Sequence, residues 1–226
     1  NIFVLVLGLV FFSLILKEKI NLKKNISIHI IVFLILILFI TAAKTHDDFP
    51  YYHFPYSYIL TQMEHPIGLG HANPGFRNAS SLFFLNSLFY LPGTEIYLMH
   101  IYSAFFLGFA NTICVNYIFD KKNFKELKCV NFLALISISF LNTFFYRMAE
   151  HGVDRSGMVI IFIVSLISVL ILKNISSNKL YKENLDLFFF VSILLALLAS
   201  TKSIYLLYIP LGLVFLFFWR KNFFVI

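Results

Sequence analysis

The chain has little charge for its length, and this scarcity limits the class of protein that it can be. Only 13% of its 226 residues are charged, whereas 60% are hydrophobic. A soluble domain of this size could not hide so much apolar surface inside one core, so we expect the surplus to face lipid. The composition therefore excludes an ordinary soluble globular domain.

Cysteine is also scarce. Cys114 and Cys129 are the only two thiols, and they form neither a disulfide framework nor a metal-binding spacing. The apolar runs are continuous and lack the alternation of apolar and polar residues that lines a membrane barrel. A disulfide scaffold and a β-barrel are thus both excluded, and membrane helices remain.

Apolar runs near the length that crosses a bilayer of roughly 30 Å recur along the chain. Their pattern predicts an all-α, polytopic membrane protein with about seven transmembrane helices. A shorter run, 79–91, ends at a Pro-Gly pair and is too short to span, so it predicts an interfacial helix in the first outer loop. The predicted spans are 2–16, 26–43, 96–119, 129–147, 157–172, 186–200 and 203–219.

Lysine and arginine are divided unevenly between the two sets of loops that these spans create. Short loops rich in these residues stay on the cytoplasmic side. The poorer set includes 44–95, which we therefore expect to be an outer loop. Membrane topology then accounts for the net charge of +7, and no nucleic-acid partner is needed. The richer set is Lys17, Lys19, Lys23, Lys24, Lys121, Lys122, Lys125, Lys128, Lys173, Lys179, Lys182, Arg220 and Lys221, and the poorer set is Lys44, Arg77, Arg147, Arg155 and Lys202.

The outer loop opens with an acidic pair directly after a predicted helix. Asp47 and Asp48 follow His46, and a run of aromatic residues and prolines comes next. One interpretation is a solvated helix end followed by an aromatic belt at the membrane interface. The other is a carboxylate site for general-base or metal chemistry, with Asp47, Asp48 and His46 as candidate ligands of a divalent cation.

Histidines are concentrated in the same loop, at positions 46, 53, 65 and 71. Imidazole and carboxylate together suit zinc or manganese. However, none of the spacings is the i, i+4 pair of a helical zinc motif. Polar loop histidines without a metal remain the commoner outcome.

Further charged residues lie on the same side of the predicted membrane. Helix caps held by ion pairs and an interfacial lysine explain them one by one. Taken together, they offer cations for a phosphate and carboxylates for a hydroxyl proton, a combination that suits a lipid-linked sugar phosphate. These residues are Arg77, Arg147, Glu150, Asp154, Arg155 and Lys202.

With these motifs the chain resembles the multi-helix membrane glycosyltransferases of the GT-C fold. Members of that class carry an acidic pair in the first extracytoplasmic loop and use polyprenyl-linked sugars. The matching stretches are His46-Asp47-Asp48, the Tyr-Tyr-His that follows at 51–53, and 75–81 leading into a short apolar helix. The stretches at 152–155 (GVDR) and 201–203 (TKS) look like those of an uncharacterised bacterial branch of the class.

The resemblance implies an inverting sugar transferase at the outer face of a bacterial inner membrane, acting on a lipid-linked donor. It implies Asp47 as the general base or a metal ligand, and Asp48 as its partner. Better-known members have more helices and often a soluble C-terminal domain, so we expect 1–226 to be a single transmembrane domain and an N-terminal part of a longer chain. The substrate-binding residues that it implies are His53, Arg77, Asp154, Arg155 and Lys202.

Two other functions stay open at this point. A transporter or binding protein could use the same charges to recognise a lipid-linked saccharide or an ion without breaking bonds. A structural subunit could dock a partner through the aromatic run 49–58. A shared catalytic site requires an outer-loop carboxylate within about 10 Å of Asp154 or Arg155. It also requires Arg77 or Lys202 at the rim, with nitrogens free for an anion.

Overall fold

A computed structural model describes residues 2–18, 22–41, 47–64, 67–119, 128–144, 153–176 and 181–212. Within these ranges the chain is helical and forms no strand, apart from an isolated bridge between Leu91 and Glu95. The all-α prediction is therefore confirmed for this part of the chain. Its α-helices are α1 (Ile2–Glu18), α2 (Leu22–Thr41), α3 (Phe54–Gln62), α4 (Leu69–Ala72), α5 (Ser81–Leu88), α6 (Ile101–Phe119), α7 (Lys128–Phe144), α8 (Val153–Ser176) and α9 (Tyr181–Thr201).

Five of these helices form a bundle around α8, which packs against α6, α7 and α9, while α2 packs against the far side of α6. Fully buried aliphatic side chains such as Leu107, Ile160 and Leu198 join three of the helices in one core. Large apolar side chains also remain exposed on the outside of the bundle, Phe132 and Ile193 among them. This is the surface expected of helices that face lipid.

The pair α2 and α6 runs antiparallel at close range. His29 Nδ1 and Thr112 Oγ1 are hydrogen-bonded at 2.8 Å, and one turn further along α2 the ring of Phe33 lies on Gly108. A Cβ on Gly108 would lie 2.5 Å from that ring, so only glycine permits this approach. Small residues at such contacts are typical of membrane helix pairs.

The pair α6 and α7 is joined by two reciprocal amide hydrogen bonds. Asn111 Nδ2 donates to Asn142 Oδ1 at 2.9 Å, and Asn142 Nδ2 donates to Asn111 Oδ1 at 2.8 Å. Tyr102 at the start of α6 and Val153 at the start of α8 share one apolar cluster, so both helices begin at the same face. Because of this, α7 must carry the chain back across the bundle between them.

Three helices are long and apolar enough to cross a membrane: Ile96–Phe119, Val153–Ile175 and Asn184–Thr201. The prediction of seven spans is therefore supported for only three in the described part of the chain. The other four fall short for physical reasons. Helices α1 and α7 have 17 residues each, slightly below the usual length of about 20. In α2 the described apolar stretch covers Ile26–Ile37, and the last segment is described only over Ser203–Gly212.

Several helix boundaries differ from those predicted, and two of the differences bear on the site. Helix α8 begins at Val153, four residues before the predicted start, so Asp154 lies in its first turn. A carboxylate there interacts favourably with the helix dipole, which extends the helix into polar sequence. The interfacial run folds as α5 alone, because Ser80 Oγ accepts the Leu82 amide at 3.2 Å and caps its start.

Candidate functional site

The segment between α2 and α6 folds into a small aromatic cap at one end of the bundle, and most of it belongs to the predicted outer loop 44–95. We call residues 47–64 and 67–100 the outer cap. Its buried centre joins Tyr56 and Phe83 of the cap to Tyr102 and Val153 at the starts of α6 and α8. Tyr56 stacks on Phe76 with centroids 5.4 Å apart and meets Phe83 edge-on at 4.9 Å. The cap is therefore packed on the helix ends that carry the second polar loop.

Tyr52 lies where two turns of this cap meet. A π-helical turn, Phe49–His53, precedes α3 and brings the ring onto the 3₁₀ turn Pro74–Arg77. Gly75 makes this contact possible, because a Cβ there would lie 2.6 Å from Tyr52 Cγ. The side chain of Asn73 fixes the turn by donating to Tyr51 O at 2.9 Å and accepting from Gly75 N at 2.8 Å.

The electrostatics of Tyr52 connect the two outer segments. Burial raises the pKa of its phenol above 10.0, and the negative charges of Asp48 and Asp154 raise it further. Asp48 lies at the start of the cap and Asp154 in the first turn of α8, so residues more than a hundred positions apart act on the same phenol. The separation of their carboxylates stays a prediction.

Asp154 makes two of the contacts that form the second half of the site. Its Oδ1 accepts from Lys202 Nζ at 2.7 Å, and its backbone carbonyl accepts from Tyr205 Oη at 3.0 Å. Tyr205 can lie this close because Gly157 has no side chain, since a Cβ there would fall 2.4 Å from the ring. The start of α8 is thus tied to the segment that follows α9.

The ion pair is accessible to solvent, with the Lys202 side chain 42% exposed and the Asp154 side chain 62% exposed. An ion pair in such surroundings contributes about 0–1 kcal/mol, so a competing anion can take its place at low cost. The expectation that the nitrogen of Lys202 is free of local ion pairs is wrong. The ammonium is shared with Asp154 instead.

Helix α5 is attached beside this pair. Ser200 Oγ, in the last turn of α9, is hydrogen-bonded at 2.8 Å to Ser81 Oγ at the start of α5. Lys202 follows two residues later and takes an extended backbone conformation, which ends α9. The interfacial helix and the lysine are therefore neighbours, although 121 positions separate Ser81 from Lys202.

Arg77 lies at the exposed surface of the cap. Its Nε donates to Gly70 O at 3.1 Å, which fixes the start of the guanidinium, and a Cβ on Gly70 would lie 2.7 Å from Arg77 Cγ. Within the described residues Arg77 has no carboxylate partner, and Asp47, also exposed, has neither a hydrogen bond nor an ion pair. Asp48 and Arg155 are half-buried.

His53 is buried, with 7% of its surface exposed. Its ring lies 4.3 Å from that of Tyr52 and 5.9 Å from that of Phe83, measured between centroids. Its backbone carbonyl accepts from Ser57 Oγ at 2.9 Å. These contacts favour a packing role behind Tyr52 over direct contact with a substrate.

Several predicted residues lie outside the described part of the chain, among them the first member of the candidate metal set, His46. The described residues contain no group of three His, Cys, Asp or Glu side chains that could hold a metal ion. A site formed by Asp47, Asp48 and His46 therefore stays a prediction. The other basic and acidic residues named for the predicted outer loops that lie outside the described ranges are Lys44, His65, Arg147 and Glu150.

The positions of two tyrosines in the site are not evident from the sequence, although Tyr52 belongs to the Tyr-Tyr-His stretch that carries the resemblance. Tyr52 is one of three aromatic residues in a five-residue stretch, and Tyr205 lies in an apolar run. The only signal is glycine, because Gly75 and Gly157 each leave space for one of the two rings. This signal can be recognised only once the fold is known, because neither glycine is near its tyrosine in sequence.

Comparisons with family models, with curated proteins and with solved structures give no match for this chain.

Proposed function

We propose that this protein transfers a sugar from a polyprenyl-phosphate donor at the outer face of a bacterial inner membrane. The observation that carries the proposal is the meeting of three distant segments at one end of the bundle. Tyr52 is influenced by both Asp48 and Asp154, and Asp154 is bound to Lys202. Carboxylates and a cation beside apolar helices suit a ligand with a phosphate head and a lipid tail.

In this proposal a carboxylate of the outer cap takes the proton of the acceptor hydroxyl. The acceptor oxygen then attacks the anomeric carbon of the sugar, and the bond from that carbon to the phosphate oxygen breaks. Polyprenyl phosphate leaves with the bonding electron pair. Asp48 is the better base, because it is half-buried and close enough to act on Tyr52, whereas Asp47 is exposed. Asp47 is its partner or a ligand of a divalent cation.

The cations hold the phosphate in this scheme. Among the described residues the Arg77 guanidinium is anchored through Nε, so its outer nitrogens can take two phosphate oxygens. Lys202 joins them by exchanging Asp154 for phosphate, which the weak, exposed ion pair permits. Arg155, on α8, is a second guanidinium on the same helix turn as Asp154. The proposal also keeps seven crossings as the topology, with the outer cap on the side poor in lysine and arginine.

The test is release of polyprenyl phosphate by the purified full chain in lipid nanodiscs, with a panel of radiolabelled polyprenyl-phosphate sugars. We expect Asp48→Asn to lower kcat by at least about 100-fold, as loss of a general base does. Asp186→Asn is the matched control, since this exposed carboxylate lies toward the other end of α9, about 22 Å along the helix from Thr201. No turnover with any donor, or equal turnover in the two variants, would contradict the proposal.

One observation favours a second candidate, a protein that binds or moves a lipid-linked saccharide without cleaving it. The Lys202–Asp154 pair is exposed and exchangeable, which also suits a gate at the rim of a pathway. The same preparation distinguishes the two functions. Transfer of labelled lipid-linked sugar between leaflets of proteoliposomes, with no free polyprenyl phosphate, would favour the second.

A further inference from the structure

A buried polar cluster lies directly beneath the site, where α5 meets the starts of α6 and α8. Asn86, Tyr102 and Ser103 are 0%, 3% and 5% exposed. The Tyr102 hydroxyl lies within hydrogen-bonding range of the side chains of Asn86, Ser103 and Ser156. Apolar residues of the outer cap lie around them, so these polar side chains are enclosed by a hydrophobic cluster.

Three polar atoms of this cluster lack a hydrogen bond of acceptable geometry to any described residue: Asn86 Oδ1, Tyr102 Oη and Ser103 Oγ. Leaving such atoms dry costs free energy, and buried polar groups in folded proteins are almost always paired with protein or with water. The Tyr102 hydroxyl and its two neighbouring orphan atoms therefore form a polar group whose hydrogen bonds one buried water could complete.

The hydrogen bonds of the neighbouring residues say which chemistry the occupant must have. Ser57 uses its hydroxyl hydrogen on His53 O at 2.9 Å, so Ser57 Oγ can only accept from Asn86 Nδ2, at 3.0 Å. This fixes the orientation of the Asn86 amide and leaves its Oδ1 as a pure acceptor. An O–H donor must face Oδ1, while the two hydroxyl groups can donate or accept.

We propose that Asn86, Tyr102 and Ser103 form a hydrated subsite, in which a bound water satisfies the three orphan atoms and can be replaced by a ligand hydroxyl. A buried water typically makes about three hydrogen bonds, which matches the three atoms. A free ion does not fit, because no charged side chain belongs to the cluster and an unpaired buried ion is very costly. Ser156 links this subsite to Asp154, two residues earlier in the first turns of α8. This inference does not depend on the reaction proposed above.

The experiment measures transfer of magnetisation from water to side-chain amides by solid-state NMR, on the full chain in liposomes with labelled asparagine. Asn111 is the matched control, since it is equally buried but its amide is closed by Asn142. We expect a fast build-up at the Asn86 side chain and none at Asn111. Absence of transfer to Asn86 in wild-type protein would overturn the proposal, whatever the variants do.

Methyl glycosides then distinguish the two sources of the hydroxyl group. If addition of a methyl glycoside removes the water signal at Asn86, a carbohydrate hydroxyl has replaced the water; if the signal is unchanged, water alone occupies the subsite. Loss of the signal supports the proposal, whereas an unchanged signal at saturating glycoside would contradict replacement of the water by a ligand hydroxyl.

A second measurement uses the thermal midpoint of unfolding. In Tyr102→Phe the ring volume is kept and only the hydroxyl is lost, so a hydrated subsite loses one hydrogen bond and Tm falls by at least about 2 °C. If the cluster were dry, removal of an unsatisfied hydroxyl would raise Tm or leave it unchanged, and this result would contradict the proposal. Tyr97→Phe, at a residue that is 76% exposed, is the control and should leave Tm unchanged.

Discussion

Replacement of Gly75 by alanine tests how tightly the outer cap holds Tyr52. The new methyl carbon would lie 2.6 Å from Tyr52 Cγ and 2.7 Å from Tyr52 Cβ, whereas carbon atoms in contact prefer about 3.5–4.0 Å. Both of these atoms are close to the backbone, so rotation of the ring about the Cβ–Cγ bond cannot relieve the overlap. The backbone of one of the two turns must move.

The size of the effect follows from two opposing terms. Forcing extra volume into a packed contact costs about 1–3 kcal/mol. Alanine also restricts the unfolded chain more than glycine does, which returns about 0.4–1 kcal/mol. The net loss is about 1–2 kcal/mol, and for a chain of this length each kcal/mol lowers Tm by about 2–4 °C. We therefore expect the Tm in detergent, measured by far-ultraviolet circular dichroism, to fall by about 2–8 °C.

Two comparisons make this result specific. Gly8→Ala, in α1, is the control because a Cβ there has nothing within 4 Å, so its Tm should match or slightly exceed that of the wild type. In a double-mutant cycle with Tyr52→Ala, the penalty of the Gly75 substitution should disappear. A wild-type Tm for Gly75→Ala, or the same penalty with and without the Tyr52 ring, would refute the contact.

Two further predictions concern the bundle and the rim. Asn142→Leu leaves the amide of Asn111 without its partner between α6 and α7, so we expect the free energy of unfolding to fall by about 1–3 kcal/mol. Replacing both asparagines by leucine should recover most of this loss. No recovery would contradict the pairing. Lys202→Met removes one side of an exposed ion pair, so the free energy of unfolding should change by at most about 1 kcal/mol. The KM for the donor should rise at least about tenfold. An unchanged KM would exclude Lys202 from phosphate binding.

Hydropathy was sufficient to predict that the described part of the chain is helical and that three of its helices are long enough to cross a membrane, whereas the outer side of the first loop stays a prediction. The apolar runs predict α6, α8 and α9 as spans, and an interfacial helix between the first outer carboxylates and α6, because hydropathy depends on composition alone. The start of α8 was predicted too late, since a polar Asp-Arg-Ser stretch has the composition of a loop. Only the helix dipole and the packing of Val153 explain why it is helical.

The candidate site was predictable only in part. Asp154 and Lys202 are unusual charges at the ends of apolar runs, and composition identifies them without a fold. Their direct pairing and the positions of Tyr52 and Tyr205 depend on contacts between residues far apart in sequence. Those contacts are set by glycines and by tertiary packing, which a single sequence does not encode in any local pattern.

The convergence of Asp48 and Asp154 on Tyr52 is tested most directly by the pKa of that phenol. Burial, Asp48 and Asp154, in that order, raise it above 10.0. A raised pKa means that the folded state retains the proton, so this contribution to stability is complete below pH 10 and is lost as the pH rises through the folded-state pKa.

The measurement is ¹³C NMR of ring-labelled tyrosine across an alkaline titration, with the Tyr52 signal assigned by its absence in Tyr52→Phe. We predict that Asp48→Asn and Asp154→Asn each lower the pKa of Tyr52, because each removes a negative charge that opposes ionisation. Asp186→Asn, toward the other end of α9, should leave that pKa unchanged. If Asp154→Asn had no more effect than Asp186→Asn, the two outer segments would not share one site.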